Sequence, residues 1–139
     1  AGGYDGRSRV SSTEILSLST MSFTPGPNMT IARSSHAAVA LDEHRIMIFA
    51  GAYESENSTE ILDLRSMTFA IGPSMSSVRF GCAAVPVSRQ HVLIIGGEDN
   101  QGTNLNTTEL LNVPMMEFSS GPVMQTHRFC FAAARLDFS

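Results

Sequence analysis

Three copies of one pattern run through the 139-residue chain, and this repetition limits what it can fold into more than any single residue does. Glu14, Glu60 and Glu109 are separated by 46 and then 49 residues, and the same two offsets relate Phe23, Phe69 and Phe118, then Arg33, Arg79 and Arg128. Eleven columns share this register. Thr13, Thr59 and Thr108 obey it, as do Leu16, Leu62 and Leu111, and the methionines Met21, Met67 and Met116. Met29, Met75 and Met124, the Gly-Pro pairs beginning at Gly26, Gly72 and Gly121, and the alanine pairs beginning at Ala37, Ala83 and Ala132 complete it. Chance three-way identity would supply fewer than about one column. The chain therefore reads as an array of like units, each needing its neighbours to cover its apolar faces.

The unit reads as all-β. Arg45 to Ala50 and His91 to Ile95 are short apolar runs ended by glycine, the pattern of a strand buried on both faces. Thr13 to Leu18 and Thr59 to Leu64 place Glu, Leu and Leu on one side and alternate them with Ile and a polar residue, which predicts a partly exposed strand. Ala37 to Leu41, Cys82 to Val87 and Ala132 to Leu136 are rich in alanine and valine, giving slim strands suited to a crowded centre. Each unit thus supplies four short strands, from a slim inner one to an outer one carrying the repeated phenylalanine, and four-stranded sheets stacked radially fit the pattern.

At these residues the chain resembles the Kelch family of β-propeller repeats. The family's double glycine matches Gly2-Gly3 and Gly96-Gly97, with Ala50-Gly51 in the middle unit. Its glutamate matches Glu14, Glu60 and Glu109, and its tryptophan corresponds to Phe23, Phe69 and Phe118. The family's aromatic after the glutamate is absent, with Leu16, Leu62 and Leu111 near its place, so the array is a divergent one. The resemblance implies an all-β propeller segment of four-stranded antiparallel blades over residues 1–139. Its periods fall at approximately 1–33, 34–79 and 80–128, followed by an inner strand over 129–139. Six or seven blades are usual in that family, so the resemblance also implies an incomplete ring, finished by further blades or by self-association.

Repeated residues face the same packing problem in every unit, whereas a ligand touches units differently, so repetition points to structure. Gly3, Gly51 and Gly97 are expected to allow backbone conformations closed to other residues, and the repeated phenylalanines and their flanking methionines to fill the gaps between units. Arg33, Arg79 and Arg128 each precede a slim strand and admit two readings. Each pairs with a repeated glutamate or caps loop carbonyls and so ties units together, or the three line a basic rim that accepts an acidic partner segment. The stretches between repeated columns carry more functional promise. The first holds Tyr4, Asp5, Arg7 and Arg9; the second Tyr53, Glu54 and Glu56; the third Glu98, Asp99, Asn100, Gln101 and Asn104. A mixed, non-repeating surface of this kind suits a protein partner and offers no catalytic geometry.

Composition narrows the alternatives. The chain has 9 basic and 13 acidic residues, a formal charge of −4, without blocks of like charge, which argues against nucleic acid or an anionic bilayer as partner. All nine basic residues are arginine, which excludes a lysine Schiff base or a P-loop lysine within these residues. The longest apolar run, Phe129 to Ala134, is far below the roughly 18 residues of a membrane-spanning helix. Cys82 and Cys130 lack CxxC spacing and read as small buried hydrophobes, a bridge between them being the other possibility. His36, His44, His91 and His127 lie out of register and show no ligand spacing, so no metal site, cofactor or enzyme activity is expected. Three sequons, at Asn28, Asn57 and Asn106, leave a secreted glycoprotein as the alternative to a cytoplasmic location, which the cysteines favour. The expectation is a non-catalytic scaffold for protein–protein interaction. A fragment of a secreted propeller resembling galactose oxidase, or one that binds carbohydrate, is the alternative.

Overall fold

The computed structural model describes residues 1–51 and 57–136. Among them every regular element is a strand: β1 (Glu14–Ser17), β2 (Ser22–Pro25), β3 (Ala37–Ala40), β4 (Arg45–Phe49), β5 (Thr59–Asp63), β6 (Thr68–Ile71), β7 (Ala83–Pro86), β8 (His91–Ile95), β9 (Thr108–Asn112) and β10 (Glu117–Ser120). They form three antiparallel sheets, a two-stranded one (β1-β2) and two four-stranded ones ordered β3-β4-β5-β6 and β7-β8-β9-β10. No helix among the described residues is long and apolar enough to cross a membrane.

The three outer hairpins repeat to the residue. Leu16 faces Phe23, Leu62 faces Phe69 and Leu111 faces Phe118 across their ladders. Each hairpin turns through four residues ending on a methionine in the left-handed region, Met21, Met67 and Met116, with φ of 51°, 55° and 52°. Such a residue closes a four-residue loop built on a type I turn. Beneath each hairpin a threonine hydroxyl, of Thr13, Thr59 or Thr108, donates to the carbonyl of Pro27, Pro73 or Pro122 at 2.7–2.8 Å. That bond explains why the threonine and Gly-Pro columns travel together: a Cβ on Gly26, Gly72 or Gly121 would collide with the threonine hydroxyl.

The core lies between the two four-stranded sheets. Met47 and Phe49 of β4, with Val39 and Leu41, meet Val92 and Ile94 of β8 and Leu111 of β9. Phe118 stands edge-on to Phe49, ring centroids 6.4 Å apart and planes at 82°. The alternate residues Ile46 and Ile48 face the other way, into a groove of about 490 Å³ lined also by Ile15, Leu62 and Phe69. That alternation is the period-2 rule of a strand buried on both faces. In β8 only Val92 and Ile94 are buried, while His91, Leu93 and Ile95 are half-buried, because that face looks away from the β3-β4-β5-β6 sheet.

Three expectations need correction. A strand over Ala132 to Leu136 does not form; β3 and β7 pair with β4 and β8, and no equivalent strand among the described residues lies beside 132–136. Filling of inter-unit gaps holds for Phe118 with Met116, which pack on the core, but Phe69 lines an open groove and Phe23 is 64% exposed. Cys82 is buried, whereas Cys130 is exposed and neither is bridged; Cys130 sits in the left-handed region (φ 50°) in a segment with no sheet over it.

Candidate functional site

Two pairs from the repeated arginine and glutamate columns meet inside the molecule, Arg33 and Arg79 each reaching the glutamate on the third strand of the sheet that follows it. Arg33 Nε donates to Glu60 Oε1 at 3.1 Å and Arg79 Nε to Glu109 Oε1 at 3.2 Å. The other guanidinium nitrogens find a fixed set of oxygens. Arg33 Nη1 donates to the carbonyls of Ala50 (2.8 Å) and Ser58 (3.2 Å), and Nη2 to Ser58 Oγ (2.9 Å). Arg79 repeats this with the carbonyls of Gly96 (2.7 Å) and Thr107 (3.0 Å) and with Thr107 Oγ1 (3.0 Å). Each carboxylate also accepts two backbone N–H groups, Thr30 and Ile31 on Glu60, Ser76 and Ser77 on Glu109, at 2.6–3.0 Å.

The result is a clamp in which both charges are buried and satisfied. Arg33, Arg79 and Glu60 have no measurable exposure and Glu109 has 2%. Burial pushes the Arg33 pKa down, and its hydrogen bond to Glu60 opposes that shift. Arginine suits the position because its planar fork serves a carboxylate and two carbonyls at once, which an ammonium cannot do from one point. A rim of three arginines is therefore not what the chain builds: Arg33 and Arg79 offer a partner no surface, and only Arg128 is exposed. The carbonyl receptors at Ala50, Ser58, Gly96 and Thr107 leave no mark in the sequence, since every residue carries a carbonyl.

The clamp needs an unusual backbone at its receptor. Ala50 is held at φ 64° and Gly51 at φ 75°, and a Cβ at Gly51 would meet the Ser34 carbonyl and His36. Glycine is required there by close approach as well as by φ. Gly3 and Gly97, at φ 118° and 99°, hold equivalent places.

Two of the three dissimilar loops come together at one end of the molecule. Arg9 from the first and Glu98, Asp99 and Asn100 from the third border a cleft of about 320 Å³, with Phe80 and Phe129 between them. Tyr4 bridges Arg9 through the backbone and is 65% exposed, with Arg7 exposed in the turn between them. Asp5 and Asp99 shape their own loops. The Asp5 carboxylate accepts the N–H groups of Arg7 and Ser8, and Asp99 those of Gln101 and Thr103. Those bonds, from Ser8 and Thr103 above all, hold both carboxyls below the usual aspartate range. Tyr53, Glu54 and Glu56 of the second loop lie outside the described residues. Phe80 and Phe129 were not expected in the site; each follows a repeated arginine directly, a position that marks the same end of every unit.

The remaining polar groups are placed as follows. Asn57 and Asn106 are half-buried and donate through Nδ2 to the carbonyls of Met75 (2.8 Å) and Met124 (3.2 Å), so the nitrogen a glycan would take is engaged in the fold; Asn28 is exposed. His36 Nδ1 is buried without a partner among the described residues, and burial lowers the ring's pKa. Among the described residues no three His, Cys, Asp or Glu side chains are grouped to hold a metal ion. No protein-family model matches the chain, and no curated protein matches it.

Proposed function

We propose that the chain is an arc of a Kelch-type β-propeller and acts as a non-catalytic scaffold that binds a protein partner through its loop end. The propeller reading draws support from consecutive four-stranded antiparallel sheets packed face to face, with the slim strands β3 and β7 adjacent. The binding role rests on one observation. Residues that repeat are consumed by the clamp and the hairpins, while residues that differ, Arg9, Glu98, Asp99 and Asn100, gather around one cleft with exposed aromatic surface. An aromatic floor with charge of both signs at its edge is the composition of a protein-recognition surface. A partner segment of mixed charge fits it better than the purely acidic one first expected, because two of the three repeated arginines are internal.

The test is affinity capture with the intact chain and with Arg9→Ala, Asn100→Ala and Phe129→Ala, each checked for an unchanged circular dichroism spectrum. Specific loss of one captured polypeptide in the three variants is the expected result. Undiminished capture by all three, or chemical conversion of the captured molecule, would contradict a binding role at this cleft.

A further inference from the structure

The loop cleft has a sign, and two residues held side by side set it. Phe80 and Glu98 form an isolated antiparallel bridge in which each N–H donates to the other's carbonyl at 2.8 Å. Residues directly opposite in such a pair send their side chains to the same face. A phenyl ring and a carboxylate therefore stand next to each other on the wall of the cleft, both half-buried. The Glu98 carboxylate takes no hydrogen bond or ion pair among the described residues.

The neighbours of this pair reinforce its charge and its shape. Asp99, next along the rim, accepts the N–H groups of Thr103 and Gln101 on Oδ1 at 2.8 and 2.9 Å, and its Oδ2 takes no hydrogen bond among the described residues. A second ring lies over Gly81, where a Cβ would come within 2.7 Å of Phe129 Cε2, so the residue after Phe80 must lack a side chain for Phe129 to lie there. Arg9, Ser34 and Ser35 border the cleft from the first two units, so both walls belong to this chain and the pair that sets the sign lies inside it. A cation is drawn to the negative face of an aromatic ring, and a carboxylate beside the ring adds a charge-assisted hydrogen bond. A guanidinium can do both at once, its plane on the ring and its edge N–H groups on the carboxylate, whereas an ammonium is a point charge.

We propose that the cleft receives an arginine side chain of the partner polypeptide, its guanidinium laid against Phe80 and bonded to Glu98, with Asp99 adding to the negative field. The assignment rests on the cleft being a protein-binding surface, and it adds which residue of the partner anchors there. Arg9 fixes the orientation: it repels a second cation, so the partner's arginine enters on the Phe80–Glu98 wall.

Titration of the isotope-labelled whole chain with three short peptides, followed by amide chemical shifts, tests it. The probes are acetyl-Gly-Ser-Arg-Ser-Gly-amide and the same peptide with citrulline or glutamate in place of arginine. The arginine peptide is expected to move the amides of Phe80, Gly81, Glu98 and Asp99 and to bind at least about tenfold more tightly than the citrulline peptide, a comparison that needs no variant. Glu98→Gln should abolish that preference, and Phe80→Leu, which keeps an apolar side chain, should weaken the arginine peptide by about threefold. Both variants should keep the parent's amide shifts in the β3-β4-β5-β6 sheet, which reports an intact fold. Equal or tighter binding of the citrulline or glutamate peptide at the same amides, or an arginine preference that survives Glu98→Gln, would overturn the assignment and leave the cleft as a binding surface. Absence of shifts at these amides with all three peptides would overturn the cleft as a binding surface together with the assignment.

Discussion

The junction between the two four-stranded sheets and the outer face of β1-β2 carry the same repeated residues, yet they behave as different materials. At the first, Glu109 is buried under Arg79 and Phe118 stands against Phe49; at the second, Glu14 and Phe23 face solvent. Identity of side chain thus says little about its contribution. What matters is whether the segment leading into the sheet brings the complementary half, as it does at Arg33 and Arg79, since a buried ion pair is valuable mainly in that removing one partner strands the other.

The largest effect should come from breaking a closed clamp. Glu109→Ala or Glu60→Ala leaves a buried guanidinium without its counter-charge and is expected to cost about 3–5 kcal/mol in urea denaturation. Glu14→Ala, in the same column but exposed, should stay within about 0.5 kcal/mol in dilute solution. Equal losses at all three positions would mean that the clamp is not what distinguishes the two regions.

Cysteine chemistry sharpens the contrast. Cys82 lies in the sealed junction, where burial pushes its thiol up to about 11, while Cys130 is exposed. Alkylation at pH 8 followed by mass spectrometry should label Cys130 first and Cys82 slower by about a hundredfold or more, since only the thiolate reacts. In urea the difference should vanish.

Phenylalanine offers a gentler probe. Phe118→Ala removes a half-buried ring and its edge contact with Phe49, for about 2 kcal/mol, roughly half the cost of truncating a fully buried phenylalanine. Phe23→Ala should change stability by less than about 0.5 kcal/mol.

The smallest effect lies in the pH dependence. Asp5, Asp42, Asp63 and Asp99 each accept backbone N–H bonds from residues two to four ahead, which lower their pKa below the usual 3.8. A depressed carboxyl pKa contributes stability that is present above the unfolded value and lost as pH falls through the folded one. The loops should therefore hold unchanged from neutrality to about pH 4 and loosen below it, seen as faster amide exchange at Ser8, His44, Ser66 and Thr103. Loosening that begins near pH 6 would point to a histidine instead.

The columns made much of the fold legible. Hairpins at 14–25, 59–71 and 108–120 and slim strands at 37–40 and 83–86 follow from alternation and alanine content, because those patterns are local. The glutamate partnership of Arg33 and Arg79 was one of two readings, and the sequence could not choose between them. Spacings of 27 and 30 residues run from the segment before a sheet's first strand to its third, and only the order of strands in the folded sheet decides which arginine finds a carboxylate. For Cys130 and residues 132–136 the apolar composition predicts burial, but burial needs a neighbouring strand, and composition does not report one. The cleft was half legible. Arg9, Asp99 and Asn100 stood out as non-repeating polar residues, whereas Phe80 and Phe129 did not, since an aromatic next to a structural column looks like core.

The most direct test is a double-mutant cycle on Arg79 and Glu109, with Arg79→Ala, Glu109→Ala and the double variant measured by urea denaturation. If the clamp pins the β6–β7 connection onto the sheet that follows it, the second substitution costs little once the first is made, and the coupling energy approaches the upper end of the usual range, about 3 kcal/mol. Additive losses, with coupling below about 0.5 kcal/mol, would show that arginine and glutamate act separately and would contradict the clamp as the element that fixes the connection to its sheet.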